Sequence, residues 1–305
     1  MAETPNPKKA VPEKKAAPEK KATPGGALKP DVGSLAGLAL ALAGILGGLL
    51  LEKGKLQDVA QGTAAMIVLG GTFGAVMVTS PFPVFLRAIG RLGAIFFERG
   101  SPLQATIDAL IQYAAKARKN GIVSLETETP KITDPFLRKA LDLAVDGTDL
   151  QELRKMMDVD LSATEEASEA EAKVWESAGG YAPTVGIIGA VMGLIQVMKH
   201  LEDIKAVGHG IAVAFVATVY GVGSANLFFL PAANKLRART RQASVVKEVI
   251  LEGVAGIVEG LNPTLIRMKL ESFDPQAQKS KKSKQAASGK AAAAKAAPQA
   301  APARN

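Results

Sequence analysis

The sequence predicts an all-α integral membrane protein: four transmembrane helices in two hairpins, with an all-helical cytoplasmic lobe inserted between spans 2 and 3. Three observations carry that expectation. Val32–Leu51, Val59–Leu86, Ser177–Met198 and Ala206–Asn234 contain no Asp, Glu, Lys or Arg over 20, 28, 22 and 29 residues, and about 20 apolar residues suffice to cross the hydrocarbon core. The connections inside the two pairs, Glu52–Asp58 and Lys199–Lys205, are short enough for tight hairpins. Between the pairs, Arg87–Glu176 is polar, carries helix start and stop signals, and shows almost no strand pattern.

Taken in order, residues 1–30 form a basic tail containing the near-repeat PEKKAA, PEKKAT. Pro, Lys, Glu and Ala without bulky apolar groups bury too little surface to offset the entropy of ordering. Residues 275–305 have the same character. Both tails are expected to be disordered, with lysines drawn to anionic membrane lipid; no nucleic-acid partner is expected. Residues 31–80 make the first hairpin. Its first span runs straight into Glu52-Lys53-Gly54-Lys55 without a small-residue cleavage site, so it reads as a retained span and not a secretory signal.

Residues 81–176 make the cytoplasmic domain. Ser101-Pro102-Leu103-Gln104 places a capping Ser, an N1 Pro and an N3 Gln before an apolar-periodic helix, which should run to Asn120 and stop at Gly121. Asp134-Pro135 starts a second helix that Gly147 ends, and Thr148-Asp149-Leu150-Gln151 resembles a capping box for a long third helix reaching Trp175 and the third span. Residues 177–234 make the second hairpin and 235–274 a cytoplasmic C-terminal helix. Pro183 falls near the start of the third span, where a missing N–H would cost little. Pro231 falls at the end of the fourth.

Lysine and arginine orient this arrangement. Seven precede the first span, 12 lie between spans 2 and 3, 14 follow the fourth, and each short connection holds two. Cytoplasmic loops carry the excess, so both termini and the central lobe belong inside. Arg87, Arg91, Lys235, Arg237, Arg239 and Arg241, beside the membrane, weigh most.

Small residues recur four apart in each span: Gly44 and Gly48, Gly70 and Gly74, Gly189 and Gly193, Ala217 and Gly221. This spacing lets helix backbones approach closely in lipid. Four short-looped helices would not use four such faces internally, so a homo-oligomer is expected.

The chain has no cysteine and only His200 and His209 as imidazoles, which excludes thiolate chemistry, disulfides and a histidine-rich metal site. It has no nucleophile–base set and no phosphate loop, so an enzyme is not expected, nor a cofactor. Ion carriers in membranes usually use buried Asp or Glu, and every carboxylate here lies outside the charge-free runs. Either no ion is moved, or the acid belongs to another chain.

GGYAPTVGIIGAVMGLIQVM, GHGIAVAFVATVYGVGSANLFFLPAANKLR and ARKNGIVSLE together resemble the MotA-like flagellar stator subunits of the MotA/TolQ/ExbB family. The resemblance covers Val32 to Phe273. It implies a pentameric ring around two copies of a MotB-like subunit, whose single span supplies the ion-binding Asp, in the bacterial inner membrane. It also implies a cytoplasmic lobe that pushes on the rotor switch protein. Pro183 and Pro231 match the family prolines linked to ion flow, and Thr218 the threonine facing the partner's Asp. Arg118 and Glu126 match a charged pair implicated in rotor contact. Ala190 stands where sodium-driven relatives have Thr, which implies protons as the coupling ion. The alternatives are a TolQ- or ExbB-like energiser of a periplasmic or outer-membrane partner, which typically has three spans, and a membrane scaffold that moves no ions.

A cysteine placed in the Glu52–Asp58 loop should react with a membrane-impermeant thiol reagent added outside intact cells. Reaction only after permeabilisation would invert the topology.

Overall fold

The computed structural model describes residues 28–99 and 103–274. Residues 1–27 and 275–305 of the two tails and the Ser101-Pro102 cap lie outside the described residues, whereas Leu28–Pro30, expected within the disordered basic tail, form a strand because Phe97–Arg99 supply a pairing edge.

The described chain opens with a short strand, β1 (Leu28–Pro30), and then the first span, α1 (Val32–Leu51). Asp31 caps α1 by accepting from the Ser34 amide at 3.0 Å, satisfying a first-turn donor. After a tight turn the second span rises through α2 (Leu56–Val59), α3 (Gly62–Ala65), a π-helical turn (Met66–Gly70) and α4 (Gly71–Thr79). The 28-residue uncharged run does not continue as one helix. It breaks at Ser80, which is extended (ψ 140°), and Pro81 caps a separate helix, α5 (Phe82–Gly90). The residue before a proline is pushed out of the α region, so the span ends there.

A short α6 (Gly93–Phe96) leads into β2 (Phe97–Arg99), which pairs antiparallel with β1. This three-residue ribbon is the departure from an all-helical chain. It brings the start of the first span alongside the segment that leaves the second.

The lobe contains α7 (Leu103–Asn120), 3-10 turns at Ile122–Leu125 and Thr129–Lys131, and α8 (Pro135–Val145). Gly121 and Gly147 end the two helices at φ +83° and +76°, conformations that cost a side chain dearly. Asp134 caps α8 by accepting from the amides of Phe136 and Leu137. The cap of the next helix is Asp149 and not Thr148: its carboxylate reaches the Gln151 amide at 2.9 Å.

That helix, α9 (Leu150–Lys199), runs 50 residues without interruption from the lobe through the membrane. The fourth span, α10 (Ile204–Ser224), passes through a π-turn (Ala225–Phe229) into α11 (Leu230–Val258), and α12 (Pro263–Glu271) closes the lobe. No helix break falls at Ser177 or Asn234, where the third and fourth uncharged runs meet the lobe. Pro183 therefore sits in a helix interior, not in a first turn, and it leaves the carbonyl of Gly179 without its i→i−4 donor. Ahead of Pro231 the π-turn performs the adjustment that a mid-helix proline requires.

Two apolar clusters anchor the lobe and the membrane boundary. In the lobe, Leu110, Leu125, Leu141, Met157, Ile250 and Leu270 are fully buried or nearly so. At the boundary the chain's only tryptophan, Trp175, stacks on Phe229 with centroids 6.0 Å apart, meets Phe228 edge-on, and donates its indole N–H to the Ala88 carbonyl at 3.2 Å. One side chain thus ties α5, α9 and the π-turn of the fourth span together. Burying an aromatic with its polar tip satisfied is a strong local stabiliser, and Trp175→Ala should lower the unfolding midpoint of the purified chain, at a cost of about 3–5 kcal/mol.

Candidate functional site

Spans 3 and 4 meet along backbone, not side chains. Ala182, Gly186, Gly189 and Gly193 on α9 face Gly210, Ala214, Ala217 and Gly221 on α10, and all eight are buried. A Cβ at Gly221 would stand 2.6 Å from the Ala182 carbonyl oxygen, and one at Gly193 would stand 2.8 Å from the Ala214 amide nitrogen and the Gly210 oxygen. Gly189 lies against Ala217 in the same way. Lipid tails are as apolar as leucine, so this association rests on dispersion at short range. The +4, +3, +4 recurrence on both strands of the hairpin is visible in the sequence, but the pairs four apart show only half of it; Ala182, Gly186, Gly210 and Ala214 escaped notice.

The other two small-residue pairs are placed differently. Gly44 and Gly48 on the first span and Gly70 and Gly74 on the second are exposed, and a Cβ at any of the four would meet nothing within 4 Å. The first span buries none of its residues.

Ala190 and Thr218 immediately follow Gly189 and Ala217, which touch, and both are half-buried beside the seam. The Thr218 hydroxyl donates to the Ala214 carbonyl at 3.2 Å. Thr184, Ser224 and Asn226 likewise bond back to their own helices, the ordinary resting state for such groups. Tyr220 does otherwise. Its hydroxyl donates to the Val59 carbonyl at 2.5 Å and accepts from the Gln61 amide at 3.3 Å, bracing the break between α2 and α3. The two prolines are linked through one contact. Leu230, next to Pro231, rests on Gly179, where a Cβ would stand 2.5 Å from its Cδ2. Gly179 is the residue whose carbonyl Pro183 cannot bond.

Below the seam, acidic groups fasten the helix ends. Asp31 holds Lys235 and Arg239, the latter at 3.0 Å; Arg239 also donates to the Phe97 and Ile95 carbonyls. Glu171, buried, binds Arg91 at 2.9 Å, and Arg237 reaches Glu169 at 2.7 Å and Glu176 at 2.6 Å. Five of the six basic residues that orient the chain are therefore also ion-paired. Arg118 and Glu126 are in the lobe, at the end of α7 and just after the following 3-10 turn. Both are exposed, and neither pairs with a described residue.

Two family descriptions match the chain: "Motility protein A N-terminal" over residues 35–121 and "MotA/TolQ/ExbB proton channel family" over residues 128–249. The chain belongs to the MotA/TolQ/ExbB proton channel family. Among its members, Motility protein A of Bacillus subtilis is 34% identical over 249 residues, covering 80% of this chain and 91% of that one. Motility protein A of Helicobacter pylori is 33% identical, covering 80% and 95%. Among solved structures, C. jejuni MotAB superposes with a TM-score of 0.76 at 33% identity, over 80% of this chain and 98% of that one. The flagellar MotAB stator complex from Bacillus subtilis gives 0.75 at 33%, over 82% and 99%. These two solved chains share this chain's arrangement over nearly their whole length.

Two outcomes follow from this geometry. Gly221→Ala should destabilise the chain by about 1–3 kcal/mol, whereas Gly48→Ala should leave its melting unchanged and alter only association between copies; detergent melting curves and cross-linking separate the two. Lys235, the Ser34 amide and Arg239 hold the Asp31 carboxyl well below the usual range despite its burial. A depressed carboxylate stabilises the fold above its unfolded pKa of about 4 and loses that contribution as pH falls through the folded value. Asp31→Asn should therefore cost about 2 kcal/mol at pH 7, and the difference from the parent should shrink in acid, read from melting against pH.

Proposed function

We propose that this chain is a MotA-like stator subunit of a bacterial flagellar motor, which with a MotB-like partner converts ion flow across the inner membrane into torque on the rotor. One observation carries the reading: the spans contain no carboxylate, in a chain that matches motility proteins over nearly their whole length. A wall of this kind lines an ion path without binding the ion. The acid comes from the partner's single span, and several copies of this chain, five by resemblance, enclose it. The match to proteins named for motility, with four spans, favours this over a TolQ- or ExbB-like energiser.

In this reading both termini and the lobe are cytoplasmic. Thr218 and Ala190 flank the path beside the seam. Pro183 and Pro231 soften the helices at its inner end, where Leu230 rests on Gly179. Alanine at 190 offers no oxygen ligand, and a sodium ion would need several, so the coupling ion is the proton. One charge falling through 100 mV yields about 2.3 kcal/mol. That is enough to bias a helix rearrangement and too little to open a packed core. The exposed Gly44, Gly48, Gly70 and Gly74 are the faces left for neighbouring copies, with lipid covering the rest. Arg118 and Glu126 meet the rotor switch protein.

Deleting the gene should leave flagella intact and stop their rotation. Liposomes holding this chain alone should be proton-tight, and those holding it with its single-span partner should conduct, independently of sodium at fixed pH. Saturable proton leak through the chain alone would overturn the reading.

A further inference from the structure

The second span has one fully buried face, made by Ala64, Val68, Thr72 and Val76 at four-residue intervals. Three of these side chains are apolar. Thr72 is the exception, and its hydroxyl is buried without a hydrogen-bond partner among the described residues. The hydroxyls of Thr79, Thr184, Thr218 and Ser224 all bond back to carbonyls of their own helices. That of Thr72 does not. The carbonyl four residues back, that of Val68, lies in the π-turn, where the regular ladder is broken and the oxygen takes the Gly71 amide.

This hydroxyl lies where spans 3 and 4 come closest. One turn away, Val68 clusters with Val216 and Ala217; one turn the other way, Val76 clusters with Ala182 and Ala225. Midway between those contacts Gly186 crosses Gly221: a Cβ at Gly186 would stand 3.1 Å from the Gly221 Cα and 3.0 Å from the Ala217 oxygen. Gly71, next to Thr72, is pressed against Val185, next to Gly186. A buried donor left unsatisfied raises the energy of the state that leaves it so, but not of a state that offers an acceptor. The Ala182 and Ala217 oxygens border the crossing, and a carbonyl oxygen has a second lone pair to offer. We propose that Thr72 is a positioning residue of the working stroke. Its hydroxyl stands without an acceptor while the seam is as observed, and donates to the Ala182 or Ala217 carbonyl when spans 3 and 4 slide against each other. This rests on the stator reading and adds to it a residue of the second span. The small residues keep the barrier to sliding low, and the hydroxyl narrows the gap between its two ends.

The test uses the purified complex of this chain with its single-span partner, and a deletion strain carrying each variant. Thr72→Val keeps the shape and removes the hydroxyl. It should melt at the parent's temperature or above, because the resting state loses an unsatisfied group, yet turn a lightly loaded motor about two- to tenfold more slowly. Thr72→Ser, which keeps the hydroxyl, should turn it at nearly the parent rate. A merely structural role would move stability and speed in the same direction. Should Thr72→Val not assemble, Thr72→Ala is compared with Thr72→Ser by rotation speed. Full speed without the hydroxyl makes that group idle and overturns the proposal. Lower melting in Thr72→Val but not in Thr72→Ser means a bond already made at rest, through bridging water, and overturns it too. Equal slowing in the valine and serine variants assigns the effect to packing, with the same result. The stator reading fails separately: a parent chain that restores no rotation to the deletion strain overturns both.

Discussion

Inside a bilayer two helices gain nothing by hiding leucine from solvent, because the solvent is itself hydrocarbon. Spans 3 and 4 resolve this by removing side chains from their shared face, so that the backbones come into contact along about three turns. Much of the architecture depends on that contact. It fixes the register of Gly179 against Leu230, sets Ala190 and Thr218 on the flank, and leaves the bulky residues Ile187, Ile188, Phe215 and Val219 pointing outward. Specificity in this pair comes from the pattern of what is missing.

The membrane boundary is governed by a different force. There Trp175 and its phenylalanines bury apolar surface, while Asp31, Glu169, Glu171 and Glu176 neutralise Arg87, Arg91, Lys235, Arg237 and Arg239 beside the span ends. A basic residue beside a membrane is usually counted as a topological vote. In this chain most of those votes are also cross-braces. The first span depends on the arrangement most, since Asp31 and the β1–β2 ribbon are its main attachments to the rest of the chain.

Much of this was legible in the sequence. Charge-free runs located the spans, Gly121 and Gly147 located helix ends, and the missing carboxylates defined what the chain lacks. Three things were not. The break at Ser80–Pro81 was hidden because the uncharged run continues through it to Leu86, and composition does not register a turn. The run of the fourth span into α11 was hidden because helicity is blind to the change from lipid to water; the continuity of α9 with the third span was expected, yet Pro183 looked terminal because the span was taken to begin at Ser177. The Asp31 clasp joins residues more than 200 positions apart, and no local pattern encodes such a pairing.

The 50 residues of α9, at about 1.5 Å each, extend some 75 Å from the lobe through the third span. Such a shaft has no bearing at the water line. An angular displacement begun in the hydrocarbon is passed to the lobe by one continuous helix, softened only where Pro183 removes a backbone bond. The transmission is thus built into the secondary structure, and breaking that rod between Trp175 and the lobe would uncouple the stroke while leaving the seam of spans 3 and 4 intact.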